Sequence, residues 1–152
     1  MRKSAVGLGV MLATLALVAL AVVATGSAAQ QSKQAPIKAA WIYVGPHNDG
    51  GWSQAHDQGR LYVQKQMGAN VITTYKENVP EGPQASQVID SLVRDGNKII
   101  FATSFGYMEP MVKVAAEFPD VKFEHATGYK MSANMRVYDA KFYEDAYLAG
   151  II

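Results

Sequence analysis

The sequence predicts an α/β domain: a parallel sheet of strand order 2-1-3-4-5 with helices on both faces, a Rossmann-like three-layer arrangement. Three observations lead there. Short apolar, β-branched runs alternate with helix-length segments several times, the pattern of repeated βαβ units. The run Lys98–Ala102 (KIIFA) is continuously apolar after its opening lysine, as expected of a strand covered on both sheet faces. Two turns that combine glycine with an aromatic residue, Gly45–Ser53 and Thr103–Gly106, follow directly on strand-like segments.

In order, Ile37–Val44 (IKAAWIYV) reads as a buried strand, rich in aromatic and β-branched residues. The turn Gly45–Ser53 holds three glycines and a proline, so its backbone can take conformations most residues refuse. Gln54–Met67 is the first helix, with Ala55, Gln58, Leu61, Tyr62 and the Lys65 stem expected on its inner side and Gly68 as its left-handed cap. Asn70–Tyr75 (NVITTY) is the second strand, and Lys76–Pro83 a loop. The second helix, Gln84–Asp95, sets Ala85, Val88, Ile89, Leu92 and Val93 on one face and is closed by Gly96. After Lys98–Ala102 and its turn comes a helix over Met108–Phe118, with Pro110 where an early turn tolerates it. Val121–His125 and Asn134–Tyr138 are the last strands, and Phe142–Ile152 starts an apolar helix.

Composition narrows the function. The chain has 152 residues and no cysteine, so disulfides and thiolate metal sites are excluded. Residues 1–29 carry Arg2 and Lys3, an apolar run from Ala5 to Ala24, then Gly26-Ser27-Ala28-Ala29, the layout of a cleaved secretory signal peptide. Residues 30–36 form a polar leader. Removal of Arg2 and Lys3 leaves 12 basic against 13 acidic side chains. With no basic stripe, nucleic acid is not an expected partner. The exported product is expected to be soluble and periplasmic. The helix at the end of the sequence stops on apolar residues without a polar cap, which suggests a longer natural chain.

In sheets of this order, ligands lie outside the carboxyl ends of the strands, where successive helices pass to opposite faces. That places a crevice between the first and third strands, bordered by Gly45–Ser53 and Thr103–Tyr107. Trp52 and Phe105 are placed to flank a flat heterocycle from the two loops. Asn48 and Asp49 offer polar contacts that fix orientation, and Ser53, Ser104 and Gly106 complete the candidate set. A plainer assignment stands beside this one: Trp52 plugs the gap between helix and sheet, and Asp49 serves only as a helix cap. His56-Asp57 are adjacent on a helix and point apart, which argues against a catalytic or metal pair. His125 ends a strand with no evident partner. The sequence has no Gly-x-Ser-x-Gly elbow, no phosphate loop and no paired metal spacing. Neither a cofactor nor enzymatic chemistry is expected.

Several collinear segments carry a family resemblance: Tyr43-Val44-Gly45-Pro46, Asp49-Gly50-Gly51-Trp52, residues 55–60 (AHDQGR), 77–82 (ENVPEG), 103–108 (TSFGYM), 118–129 (FPDVKFEHATGY) and Tyr147-Leu148-Ala149-Gly150. The mature chain resembles the basic membrane protein family of ABC-transporter substrate-binding proteins, which includes purine nucleoside receptors. The resemblance implies a type 1 periplasmic-binding-protein fold, with residues 37–152 as the N-terminal lobe of two that close on a ligand. It implies a purine nucleobase or nucleoside as ligand and a membrane permease as partner. The family's Asp-x-x-Phe-Asn turn matches Asp49, Trp52 and Ser53; tryptophan keeps the stacking role, whereas serine shortens the polar reach. A free purine or oxidised heterocycle suits this Gly-Gly-Trp branch better than a nucleoside. A ligand-sensing lobe of a signalling system and a nucleoside-cleaving enzyme using Asp49 or His56 are the alternatives.

Overall fold

Side chains alternate across a β-strand, and β1 (Ile37–Ile42) uses both faces for burial. Ala40 and Ile42 enter one core cluster, while Ala39, Trp41 and the following Tyr43 enter another on the opposite face. This computed structural model describes residues 34–151. The expected signal peptide and most of the polar leader lie outside the described residues.

Four more strands join β1: β2 (Val71–Lys76), β3 (Ile99–Ala102), β4 (Lys122–Ala126) and β5 (Met135–Tyr138). All pairs are parallel, and the order is β2-β1-β3-β4-β5, as the sequence predicts. β1 is interior, next to the edge strand β2, with Ala39 opposite Thr73 on one side and Ile99 on the other.

The larger core lies between the sheet and two helices, α2 (Pro83–Arg94) and α3 (Met108–Glu117). α2 opens on Pro83, whose fixed φ suits a first helical turn. It buries Ala85, Ile89, Leu92 and Val93, four of the five residues its 3.6-residue pattern singles out. α3 presents Met108, Met111, Val114 and Ala115 to the same cluster.

The opposite face is covered by α1 (Trp52–Met67), and here the expectation needs two corrections. Leu61 and Tyr62 are 49% and 64% exposed, while Asp57 and Arg60 are buried. The helix is phased by a polar cluster rather than an apolar stripe. The Tyr43 hydroxyl donates to Asp57 Oδ1 at 3.0 Å, and Arg60 Nε donates to the same oxygen at 2.7 Å. Arg60 Nη1 reaches Thr73 Oγ1 on β2 at 3.0 Å, and the guanidinium lies over the Tyr75 ring. Burial, with the Asp57 charge beside it, pushes the Tyr43 phenol well above its ordinary pKa. A periodicity argument cannot find such a face, because its buried members are charged.

The second correction is where α1 begins. The helix starts at Trp52 rather than Gln54. The Asp49 carboxylate accepts N–H bonds from Gly51 at 2.8 Å, Ser53 at 3.0 Å and Gln54 at 3.0 Å, which satisfies donors that a helix start leaves open. These bonds hold the Asp49 carboxyl down at a pKa of about 2, so it is ionised at neutral pH.

His125, the penultimate residue of β4, is fully buried, and neither ring nitrogen has a hydrogen-bond partner among the described residues. Gly128 lies against it so closely that a Cβ there would come within 2.2 Å of Nδ1. Burial lowers the imidazole pKa from 6.5. A base whose folded-state pKa is depressed contributes stability above its unfolded pKa that is lost as pH falls toward the folded value. His125→Leu removes two unpaired polar atoms at similar volume. It should leave stability at neutral pH unchanged or raised by up to about 1–3 kcal/mol. It should also shrink the fall in melting temperature between about pH 7.5 and pH 5.5. A scan of both proteins at the two pH values checks this; equal acid losses would show that His125 is not the titrating group.

Candidate ligand-binding site

The crevice anticipated between β1 and β3 is bridged by one side chain. Trp52 Nε1 donates to the carbonyl oxygen of Thr103, tying the start of α1 to the loop after β3. This bond fixes the indole edge, yet Trp52 keeps 36% of its surface exposed. Its ring lines an open cavity of about 330 Å³ at the carboxyl edge of the sheet. The other walls are Ala55 and His56 from α1, Ala126 and Thr127 after β4, Tyr138 and Asp139 at the end of β5, and Ala140 and Phe142. Phe142 opens α4 (Phe142–Ala149), a helix with no buried residue.

The rings meet at defined angles. His56 stands edge-on to Trp52, with centroids 4.8 Å apart and planes at 66°. It stands edge-on to Tyr138 as well, at 6.2 Å, while Phe142 lies 5.9 Å from Trp52. Thr127 on the wall has φ 64°, a left-handed conformation that a β-branched residue rarely takes. Such strain costs on the order of 1–3 kcal/mol and tends to gather at functional sites.

The other expected site residues are placed as follows. Ser53 is fully buried, and its hydroxyl accepts the Gly45 N–H at 3.2 Å, inside the turn. Asn48 and Asp49 are exposed on the turn, with the Asp49 carboxylate committed to three backbone donors. Ser104 and Gly106 are both held by Glu81 from the loop after β2: the Ser104 hydroxyl donates to its Oε1, and the Gly106 N–H donates to the same atom at 3.0 Å. A Cβ on Gly106 would fall 2.5 Å from the Glu81 carboxyl carbon, so a side chain there would displace Glu81 from its present position. Phe105, between those two anchors, is 55% exposed and faces Tyr129 at 6.3 Å. It is not among the residues lining the cavity beside Trp52.

Sequence reasoning missed Glu81, Thr127, Tyr138 and Phe142 as members of the site, and it weighed His56 only for catalysis or metal binding, not as a ligand contact. One signal was available. His56 is four residues beyond Trp52, so a helix begun at Trp52 puts both on one face. The contribution of Tyr138 depends on how β5 pairs with β4, which no local pattern contains.

An open, aromatic-walled cavity beyond the strand ends of a parallel sheet is the architecture of an α/β ligand-binding lobe. The family model described as ABC transporter substrate-binding protein PnrA-like matches residues 37–152, and the chain belongs to that family. A purine-binding protein of Brucella abortus is 54% identical over 116 residues, which cover 76% of this chain and 33% of that protein. A putative ABC transporter glucose-binding protein of Haloferax volcanii is 42% identical over 114 residues, 75% of this chain and 29% of that one. The chain therefore spans about a third of the length of these curated relatives. Among solved structures, a solute-binding protein of an ABC transporter system from Aeropyrum pernix shares the fold, with a TM-score of 0.64 at 24% identity, over 77% of this chain and 32% of that one. No helix of the described residues is long and apolar enough to cross a membrane.

Proposed function

We propose that this chain forms one lobe of an exported receptor that binds a purine nucleobase or nucleoside between two lobes and delivers it to an ABC-transporter permease. The observation that carries this reading is the indole of Trp52, pinned through its N–H and presenting its ring to an open aromatic cavity. A flat heterocycle stacked on such a face gains roughly 1–3 kcal/mol per base. The 54% identity to a protein named for purine binding points the same way.

A sugar ligand is the second reading, favoured by the relative named as a glucose-binding protein. Trp52 is the proposed stacking contact of this lobe, with Asn48 on the same turn and Phe105 on the second turn as proposed contacts outside the cavity beside Trp52, while Asp49 is proposed to act by holding the first turn. Ser53, Ser104 and Gly106 are proposed to shape the two turns that carry them. The proposed role involves no catalysis.

Isothermal titration of the protein against adenine, guanine, hypoxanthine, urate, their nucleosides and glucose decides between the readings. Purine binding without glucose binding is expected. Heat from glucose alone would replace the purine assignment with the sugar one, and binding of none would remove both.

A further inference from the structure

Most of the polar groups expected to read a ligand are spent inside the protein. Asp49 holds three backbone donors, Ser53 accepts from Gly45, and Ser104 and Gly106 both give their hydrogens to Glu81. The Trp52 N–H is given to Thr103. Stacking alone distinguishes one flat ring from another poorly, because every base has a π-face. Hydrogen bonds from a buried site discriminate far better. The cavity therefore needs another polar group, and His56 fits that need.

His56 lines the cavity one helical turn beyond Trp52, held edge-on between Trp52 and Tyr138. No hydrogen bond to its ring nitrogens is seen among the described residues, and unlike the fully buried His125 the residue is only partly buried. An imidazole carries one donor and one acceptor when neutral, which matches the alternating N–H and N or O edge of a purine-type ring. We infer that His56 is a specificity-determining contact, hydrogen-bonding the heteroatom edge of a nitrogen heterocycle that lies against Trp52. The inference rests on the purine reading given above.

Burial lowers the His56 pKa from 6.5, so the ring is neutral at physiological pH. The titratable groups around it are Asp139 and Tyr138 on the cavity wall and, in the groove on its other side, Glu124. The Tyr138 phenol is pushed well above its ordinary value by burial and by the Glu124 charge, so it stays neutral throughout the range considered. A ligand that covers His56 takes it further from water, so protonation opposes binding. Affinity should hold at neutral pH and fall only as pH drops through the lowered His56 value.

The test is titration of hypoxanthine into the protein and into His56→Phe and His56→Gln, at about pH 7.5 and about pH 5.5. Phenylalanine keeps an aromatic ring and loses both nitrogens; glutamine keeps a donor and an acceptor. His56→Phe should weaken binding by about 5–10-fold at the higher pH. His56→Gln should recover part of that loss. Both variants should lose the acid-induced drop shown by the unaltered protein. Wild-type affinity and an unchanged pH profile in His56→Phe would overturn the inference while leaving the purine reading intact. If His56→Phe fails to fold, an unchanged pH profile in His56→Gln overturns it equally. Failure of the unaltered protein to bind any purine would overturn the parent reading, and this inference with it.

Discussion

Replacing Asp57 with alanine should destabilise the domain by about 3–5 kcal/mol, the usual cost of removing one partner from a buried ion pair. The Asp57 and Arg60 side chains are only 7% and 9% exposed, and their oxygen and nitrogen lie 2.7 Å apart. Without the carboxylate, the Arg60 guanidinium stays under the helix with only Thr73 and Gln64 as hydrogen-bond partners. The Tyr43 hydroxyl, also buried, loses its acceptor. Urea denaturation measures the loss, and the melting temperature should drop by roughly 10–20 °C. The double substitution Asp57→Leu with Arg60→Met should be much milder than Asp57→Ala alone, since it buries no unpaired charge. A double variant as damaged as the single one would show that packing of α1, not charge pairing, sets its stability.

Trp52→Ala should weaken purine binding by about 1–3 kcal/mol, a loss of roughly 5–150-fold. It removes the ring that lines the cavity and the N–H bond to Thr103. Losing that bond should lower stability by about 1 kcal/mol as well. Trp52→Phe separates the two effects. It keeps an aromatic face but cannot donate, so it should show the stability loss with most of the affinity retained. Equal losses of affinity in both variants would assign Trp52 a tethering role and leave the stacking surface to other rings. Titration calorimetry paired with thermal melts on each variant reads both quantities.

The elements of the sheet were legible because their signals are local. Ile99–Ala102 is apolar throughout and becomes a strand covered on both faces, and Pro83 and Gly96 bracket α2 closely. The alternation of strand and helix is enough to order the sheet, given the handedness of crossovers. The phase of α1 was not legible, because Asp57 and Arg60 are charged and turn inward only in the presence of Tyr43 and Thr73. Its first residue was misjudged for a related reason. Asp49 begins the helix from three residues before Trp52, so the glycines of the turn end sooner than composition suggests. The cavity draws its walls from three separate stretches of the chain, and a linear pattern marks only the first of them.

The lashing of the two turns has a thermodynamic consequence. Asp49, Glu81 and the Trp52–Thr103 bond hold these segments in place through bonds within the chain itself. Their loss of freedom is then charged to folding, and an arriving molecule has little ordering left to impose on this half of the cleft. Solutes that this half tells apart should accordingly enter at similar speeds and differ in how long they stay.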